Sequence, residues 1–582
     1  MENFKTLKDF ILRHKWFYIF GIVSLLLVDG LQLFIPEILR NFTDTLSRGE
    51  ITTDLFIRYC IGLLSLAIII AILRYFWRML IMGTSRHMEY YLRDRMFKHL
   101  QHLSIDYFHH HKAGDLMARA TNDINAVKMA MGMGVVMITD AFFLTAAILF
   151  RMVATIDMKL VISALLPLPL LVVVVLYFGK SIHNRFRAVQ EAFSKLTEKV
   201  QENISGIRVV KSFVQESFEI QKFTDANQYL FNKNMDLVKI HGLFHPLIAL
   251  ITSLSYGIVL WYGSILVVKN IITLGDFVAF NSYLAILAWP IMALGWVINI
   301  LQRGSASMSR INEILHAKPD IIEGKNAIHK ETLEGEISIE NLHFRYPGTS
   351  RYVLRDINIH IPPGNSLGII GRTGSGKSTL LHLILRLYEI EEGIIQIDGI
   401  NIKDLSLDTL RKHIGVVEQE SFLFSTSIKD NITFGDPNFK MEDVVAAAKI
   451  AQIHDNIMNF PHQYDTLVGE RGVTLSGGQK QRTCIARTII RKPRLLFLDD
   501  CLSAVDTQTE EKILQGLQEI MKQKTNIIIA HRISTIKHCD EIIVLDEGKI
   551  VERGTHETLI QKDGLYRQIY EKQLLEEQIS IE

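Results

Sequence analysis

GRTGSGKST (371–379) follows the apolar run SLGII (366–370) and precedes the helical run LLHLILRLY (380–388). Together they satisfy G-x-x-x-x-G-K-[ST] in a strand–loop–helix setting, which chance matches rarely share. Gly371, Gly374 and Gly376 free the backbone between them, so that N–H groups from Arg372, Thr373 and Ser375 onward can wrap phosphate oxygens. The helix that starts here adds a favourable partial charge at its N-terminus. Lys377 is placed to reach β- and γ-phosphates, Ser378 to ligate Mg²⁺, and Thr379 to close the cradle. This segment predicts an α/β nucleotide-binding domain built around a largely parallel sheet.

Two further strands fit that sheet. RLLFLDD (494–500) ends in paired carboxylates, of which Asp499 can hold Mg²⁺ and Asp500 can orient an attacking water. NIIIAH (526–531) ends in His531, placed to sense or polarise a γ-phosphate. A lone histidine after a strand carries little weight; after the other two strands it belongs with them.

Upstream the composition changes. The chain has 582 residues, 48% of them hydrophobic and 21% charged, an average suited to one greasy part and one soluble part. Apolar runs of about the length that crosses a bilayer are predicted at 17–39, 56–82, 133–153, 159–179, 243–268 and 277–301. The segment LVISALLPLPLLVVVVLYFG (160–179) carries no charge at all, which buried helices of a soluble protein rarely match. Residues 83–132 and 180–242 are long, basic and helical in pattern. With Lys5, Lys8, Arg13 and Lys15 they place the N-terminus and both long loops in the cytosol. Six spans then return the chain to the cytosol, with residues 1–317 as the membrane domain, 318–335 as a polar linker and 336–582 as the nucleotide-binding domain. A removable signal peptide is not expected, since no small-residue cleavage site follows the first apolar run.

Other classes are set aside by composition. A net charge of +1 gives no basic footprint for nucleic acid, and four cysteines without a CxxC pair give neither a disulfide framework nor a zinc site. Arg74, Arg78 and Arg151 lie near span ends and can snorkel to headgroups. Asp140 sits mid-span, where a carboxylate faces either the transport pathway or a structural partner. The triplet His109–His111 is expected on a solvated loop, because adjacent side chains diverge.

TLSGGQKQR (474–482) lies between the two strand motifs, and its LSGGQ resembles the signature of ABC transporter ATPases. The resemblance extends over nearly the whole chain. Tyr346 in FRYPG resembles the aromatic that stacks on adenine, and Gln419 in VVEQESFLF the glutamine that touches Mg²⁺ and faces the membrane domain. VGERG (468–472) is similar to the exporter-specific segment, and SAVD (503–506) to the loop after the catalytic strand. HHKAGDLMARATNDINAV (110–127) and QENISGIRVVKSFVQE (201–216) resemble the two intracellular loops, with the second coupling tip expected near Val209–Gln215. The order, membrane domain then ATPase, is that of an exporter half-transporter. The resemblance implies ATP and Mg²⁺ as cofactors and a bacterial cytoplasmic membrane as location. It also implies that Ser476, Gly477, Gly478 and Gln479 complete the ATP site of a second chain.

One departure is informative. The family's usual residue at position 500 is glutamate; aspartate is shorter by one methylene, and a misplaced base costs rate steeply. DDCLSAVD beside an intact LSGGQ resembles the degenerate-site subunit of heterodimeric bacterial multidrug exporters of the BmrCD type. That resemblance implies a non-identical partner with a catalytic glutamate, and hydrophobic or cationic small molecules as substrates. A homodimeric exporter of lipid or peptide, and a mainly regulatory subunit, remain the alternatives.

Overall fold

The computed structural model describes residues 2–155, 158–324, 326–469, 472, 475–502, 507–522 and 524–581. Two compact units result, one of Met1–Gln101 with Ala113–Ala317 and one of His102–Lys112 with Lys318–Glu582.

The first unit is helical throughout. Among the described residues four helical runs are long and apolar enough to cross a membrane: Lys15–Ser47, Thr53–His102, Ala113–Thr155 and Glu216–Val268. They carry the first, second, third and fifth expected spans. The fourth falls across Met158–Leu165 and Leu168–Ser205, with Pro167 at the junction, and the sixth lies on Leu274–His316. The basic segments expected as cytosolic loops are continuations of these helices. A run of 50 residues such as Thr53–His102 extends about 75 Å, well beyond a hydrocarbon core of about 30 Å. On Thr53–Trp77, Ile70 is buried while Ile61, Leu64 and Ile68 point outward. Water would penalise that apolar surface; lipid does not.

Polar clasps fix the outer ends. Thr273 and Asp276 form a capping box at the start of Leu274–His316. Asp44 accepts from Thr273 Oγ1 and from the Gly275 N–H, each at 2.8 Å, and Arg40 pairs with Asp276 at 2.6 Å. A side chain at Gly275 would meet the Arg40 carbonyl at 2.3 Å, so glycine sets this close approach. Arg151, expected to snorkel, instead pairs with Glu37 at 3.1 Å and lies over the Phe34 ring.

In the second unit an antiparallel sheet, order β2-β1-β4-β5, joins Leu354–Ile361, Ile337–Phe344, Glu392–Ile397 and Ile400–Asn401. A six-stranded sheet has the order β10-β9-β3-β8-β7-β6. Its strands are β3 Ser366–Gly371, β6 Ile414–Val417, β7 Leu495–Asp499, β8 Thr525–Ile529, β9 Glu541–Asp546 and β10 Lys549–Gly554. All neighbours are parallel except β10 and β9. Both faces are buried: Ile369, Phe497 and Ile527 pack on one side, Ile370, Leu496 and Ile528 on the other. Continuous apolar strands therefore replace alternation here. Because β8 separates β3 from β7, the carboxyl ends of all three converge, which is where open α/β sheets bind ligands.

The segment 318–335 is more than a spacer. Ile328 N–H donates to the Asp404 carbonyl at 2.7 Å, Leu333 is buried, and Asp398 accepts from the N–H groups of Glu334, Gly335 and Glu336. The His triplet also differs from expectation. His109 and His110 lie on the helix Ile105–His110, inside the second unit, with His109 Nε2 3.2 Å from the Tyr388 hydroxyl and Ser104 donating to Asp320. His109 and His110 remain exposed, as expected, but on a short helix, IDYFHH, in place of a loop.

Candidate nucleotide-binding site

The loop between β3 and the helix Lys377–Ile384 is shaped by what cannot fit. Gly376 adopts φ 101°, and a Cβ there would lie 2.7 Å from Leu354 Cδ2 and 3.1 Å from the Val353 carbonyl. A Cβ at Gly371 would meet the Leu545 carbonyl of β9 at 2.0 Å. Only glycine satisfies both positions. Lys377 Nζ donates to the carbonyls of Gly371 and Arg372, both at 2.9 Å, so its ammonium is held over the loop. Burial pulls its pKa down from the ordinary lysine value, while the charges of Asp499 and Asp500 oppose that shift.

A cavity of about 370 Å³ opens on this loop. It is lined by Thr373–Thr379 together with Tyr346, Gln419, Asp499 and His531. Asp499 is buried; desolvation raises its carboxyl above the usual range, and a hydrogen bond with Ser378 pulls the other way. The donor set suits a hard cation beside a polyphosphate: a hydroxyl, an amide oxygen and a carboxylate next to a buried ammonium and a row of loop N–H groups. Tyr346 packs edge-on against Phe344 and Tyr388, with its hydroxyl 2.9 Å from Thr379 Oγ1. Gly371 and Arg372 support the loop from outside the lining.

Asp500 stands apart from that cavity. It has φ 43°, a left-handed conformation that short polar side chains tolerate better than most. Its N–H donates to the Ile529 carbonyl at 2.9 Å, and its Oδ2 lies 3.5 Å from Gln419 Nε2. It lines a smaller neighbouring cavity with Cys501, Glu510, His531 and Arg532.

Ser476–Gln479 are likewise outside the lining of the Lys377 cavity. Ser476 caps the helix Gly477–Ile489: its Oγ accepts from the Gln479 N–H at 3.3 Å, and Gln479 Oε1 accepts from the Ser476 N–H at 3.0 Å. The first turn of that helix is thereby fixed with its N-terminus presented outward. Ser503–Asp506, and Glu470 and Arg471 of VGERG, lie outside the described residues.

Two residues escaped sequence reasoning. Gln573, on the helix Leu565–Ile581, donates to the His531 carbonyl at 2.6 Å and accepts from the Ile533 N–H at 2.9 Å. Glu510 is buried and takes Arg532 at 2.6 Å and Thr535 at 2.9 Å. Forty residues separate Gln573 from Ile533, so no local pattern signals the clasp. A short helix forms near the position expected for the second coupling tip, at Ile207–Ser212, with Val209, Phe213 and Val214 exposed around it.

Comparison with known proteins adds three findings. The family described as ABC transporter transmembrane region matches residues 18–291, and that described as ABC transporter matches 354–503. The chain is 39% identical to the probable multidrug resistance ABC transporter ATP-binding/permease protein YheI of Bacillus subtilis, over 96% of this chain and 95% of that one. It is 38% identical to the multidrug resistance-like ATP-binding protein MdlA of Escherichia coli, over 97% and 95%. The structure of a bacterial Atm1-family ABC exporter with ATP bound superposes with a TM-score of 0.78 at 26% identity, covering 97% of this chain and 98% of that one.

Proposed function

Since the chain belongs to the ABC transporters, as an exporter half-transporter with membrane and ATPase domains on one polypeptide, we propose that it exports multiple hydrophobic drugs as one half of a non-identical pair. ABC exporters are ATPases coupled to transport and act as dimers in a lipid bilayer. Here that is the cytoplasmic membrane, with the ATPase domain in the cytosol. The two relatives named for multidrug resistance support the substrate class.

At this chain's own site, the loop N–H groups of Thr373–Ser378 and the Lys377 ammonium would bind the phosphates, and Tyr346 would stack on adenine. Ser378, Asp499 and Gln419 would hold Mg²⁺, which when bound neutralises charge on the β- and γ-oxygens. His531 would face the γ-phosphate. Ser476–Gln479 would present their capped helix N-terminus to nucleotide bound by the partner.

The observation that carries the asymmetric reading is the place of Asp500. Its carboxylate leans toward Gln419 and is absent from the lining of the cavity that holds Lys377, Asp499 and His531. A base must come within hydrogen-bond reach of its water, and a displacement of about 1 Å costs roughly 100-fold. This site then holds nucleotide and turns over slowly, while the partner's site, completed by Ser476, does most of the hydrolysis. In the purified two-chain complex, Asp500→Asn retains most of the ATPase activity and Ser476→Arg removes most of it. Equal loss in the two variants contradicts the asymmetry.

A further inference from the structure

A cavity of about 260 Å³ lies where the chain enters its first span. Asp9, Phe10, Arg13 and His14 wall one side, and His87, Tyr90 and Tyr91 the other. Residues 9–13 belong to the short helix Lys8–Arg13, and 87–91 to the helix Gly83–His102. Phe10, 4% exposed, forms the floor: its ring stacks on His14 with centroids 4.2 Å apart and meets Tyr91 at 5.3 Å.

The spans set its depth. With these at 17–39 and 56–82, His14 stands about 5 Å and His87 about 8 Å outside the hydrocarbon, at 1.5 Å per residue. The headgroup layer is roughly 5–8 Å thick on each side, so the cavity opens within it. Trp16 and Phe17 are exposed beside it, as aromatic side chains at a membrane boundary are.

The charges point to the occupant. Nearby, Arg86, Arg93 and Lys128 all pair with Glu89, and Arg95 reaches the Thr6 carbonyl. Asp9 and Arg13 stand one helical turn apart, in the order that favours an ion pair. No pair forms between them, and neither has another side-chain partner among the described residues. The cavity thus offers one open cation and one open anion at headgroup level. A free phosphate would meet Asp9 as a repelling neighbour, whereas a phosphodiester carrying its own ammonium satisfies both. His87 and Tyr90 add a ring N–H and a hydroxyl as further donors to the phosphate.

We propose that this cavity binds a zwitterionic phospholipid headgroup of the inner leaflet, a phosphodiester bearing a primary ammonium. Arg13 takes the phosphate and Asp9 the ammonium, so that the lipid ties the N-terminal helix to the second span at the membrane surface. The assignment holds whatever the cargo.

The test photocrosslinks the purified transporter in phosphatidylcholine nanodiscs doped with phosphatidylethanolamine that carries a diazirine in its acyl chain near the ester. Phosphatidylcholine lacks the ammonium N–H, so the host lipid does not saturate the site. Mass spectrometry finds adducts at residues 9–14 and 87–91, and a tenfold excess of unlabelled phosphatidylethanolamine suppresses them by roughly fivefold or more. Phosphatidylglycerol and soluble phosphoethanolamine suppress them little. Arg13→Gln and Asp9→Asn each lower this labelling by roughly threefold, the scale of an exposed charge pair, and leave adducts elsewhere unchanged. Uniform labelling around the transporter, or labelling indifferent to both variants, overturns the proposal. Stronger suppression by phosphatidylglycerol overturns it in favour of an anionic lipid, and equal suppression by soluble phosphoethanolamine in favour of a free phosphate ester. Should a variant fail to fold, the wild-type competition decides alone.

Discussion

The side-chain amide of Gln419 stands 3.5 Å from Asp500 Oδ2, at the rim of the cavity that Lys377 and Asp499 line. If reach limits this site, one added methylene relieves it. In a Ser476→Arg background, where the partner's site is disabled, Asp500→Glu raises the residual ATPase rate by roughly 10-fold or more. An unchanged rate in that double variant places the limitation elsewhere.

Gln573 clasps the backbone on both sides of Arg532, taking the Ile533 N–H and donating to the His531 carbonyl. Gln573→Ala removes two hydrogen bonds, each worth about 1 kcal/mol net. Hydrogen exchange at 531–536 accelerates by about one order of magnitude or more, and the melting temperature of the domain falls by a few degrees. Unaltered exchange there makes the clasp incidental.

At Gly376 the backbone and the packing agree. Alanine would have to hold φ 101° and press its Cβ to within 2.7 Å of Leu354 Cδ2. Gly376→Ala costs about 2 kcal/mol or more and distorts the loop that carries Lys377. Loss of fluorescent ATP-analogue binding together with a lower melting temperature is expected; wild-type binding would show that the loop can relax.

Cys501 and Cys539 are buried, and burial pushes both thiols up to about 12. The thiolate is the reactive form, and raising the pKa from an ordinary value of about 8.5 lowers its fraction at pH 7.5 by roughly 10³. Both therefore resist maleimide in the native complex and react on unfolding. Each unit of added pH raises the native rate about tenfold, since the pH stays below both values. Rapid native labelling of Cys501 would mean that the segment after Asp500 opens.

Much of the ATPase domain was legible because its chemistry depends on local strings. GRTGSGKST needs its glycines within six residues, and LLFLD ends its strand on the carboxylate expected to hold Mg²⁺. Ser476 and Gln479 signal their own capping box. The membrane helices were legible as apolar runs and their basic cytosolic segments as helical in pattern, but that the two join into continuous helical runs was not. What stayed hidden depends on contacts distant in sequence: Gln573 on His531, and the helix Ile105–His110 within the second unit. The pairing of Arg151 with Glu37 was concealed in the same way.

The central claim is that this chain holds ATP at its own site and lends its signature to another chain's hydrolysis. The most direct measurement is the steady-state ATPase rate of the chain purified as the sole half-transporter in lipid, beside the two-chain complex. The predicted result is a rate roughly 100-fold or more below that of the complex. Turnover near 10 s⁻¹, the ordinary range for enzymes, without any partner would contradict it.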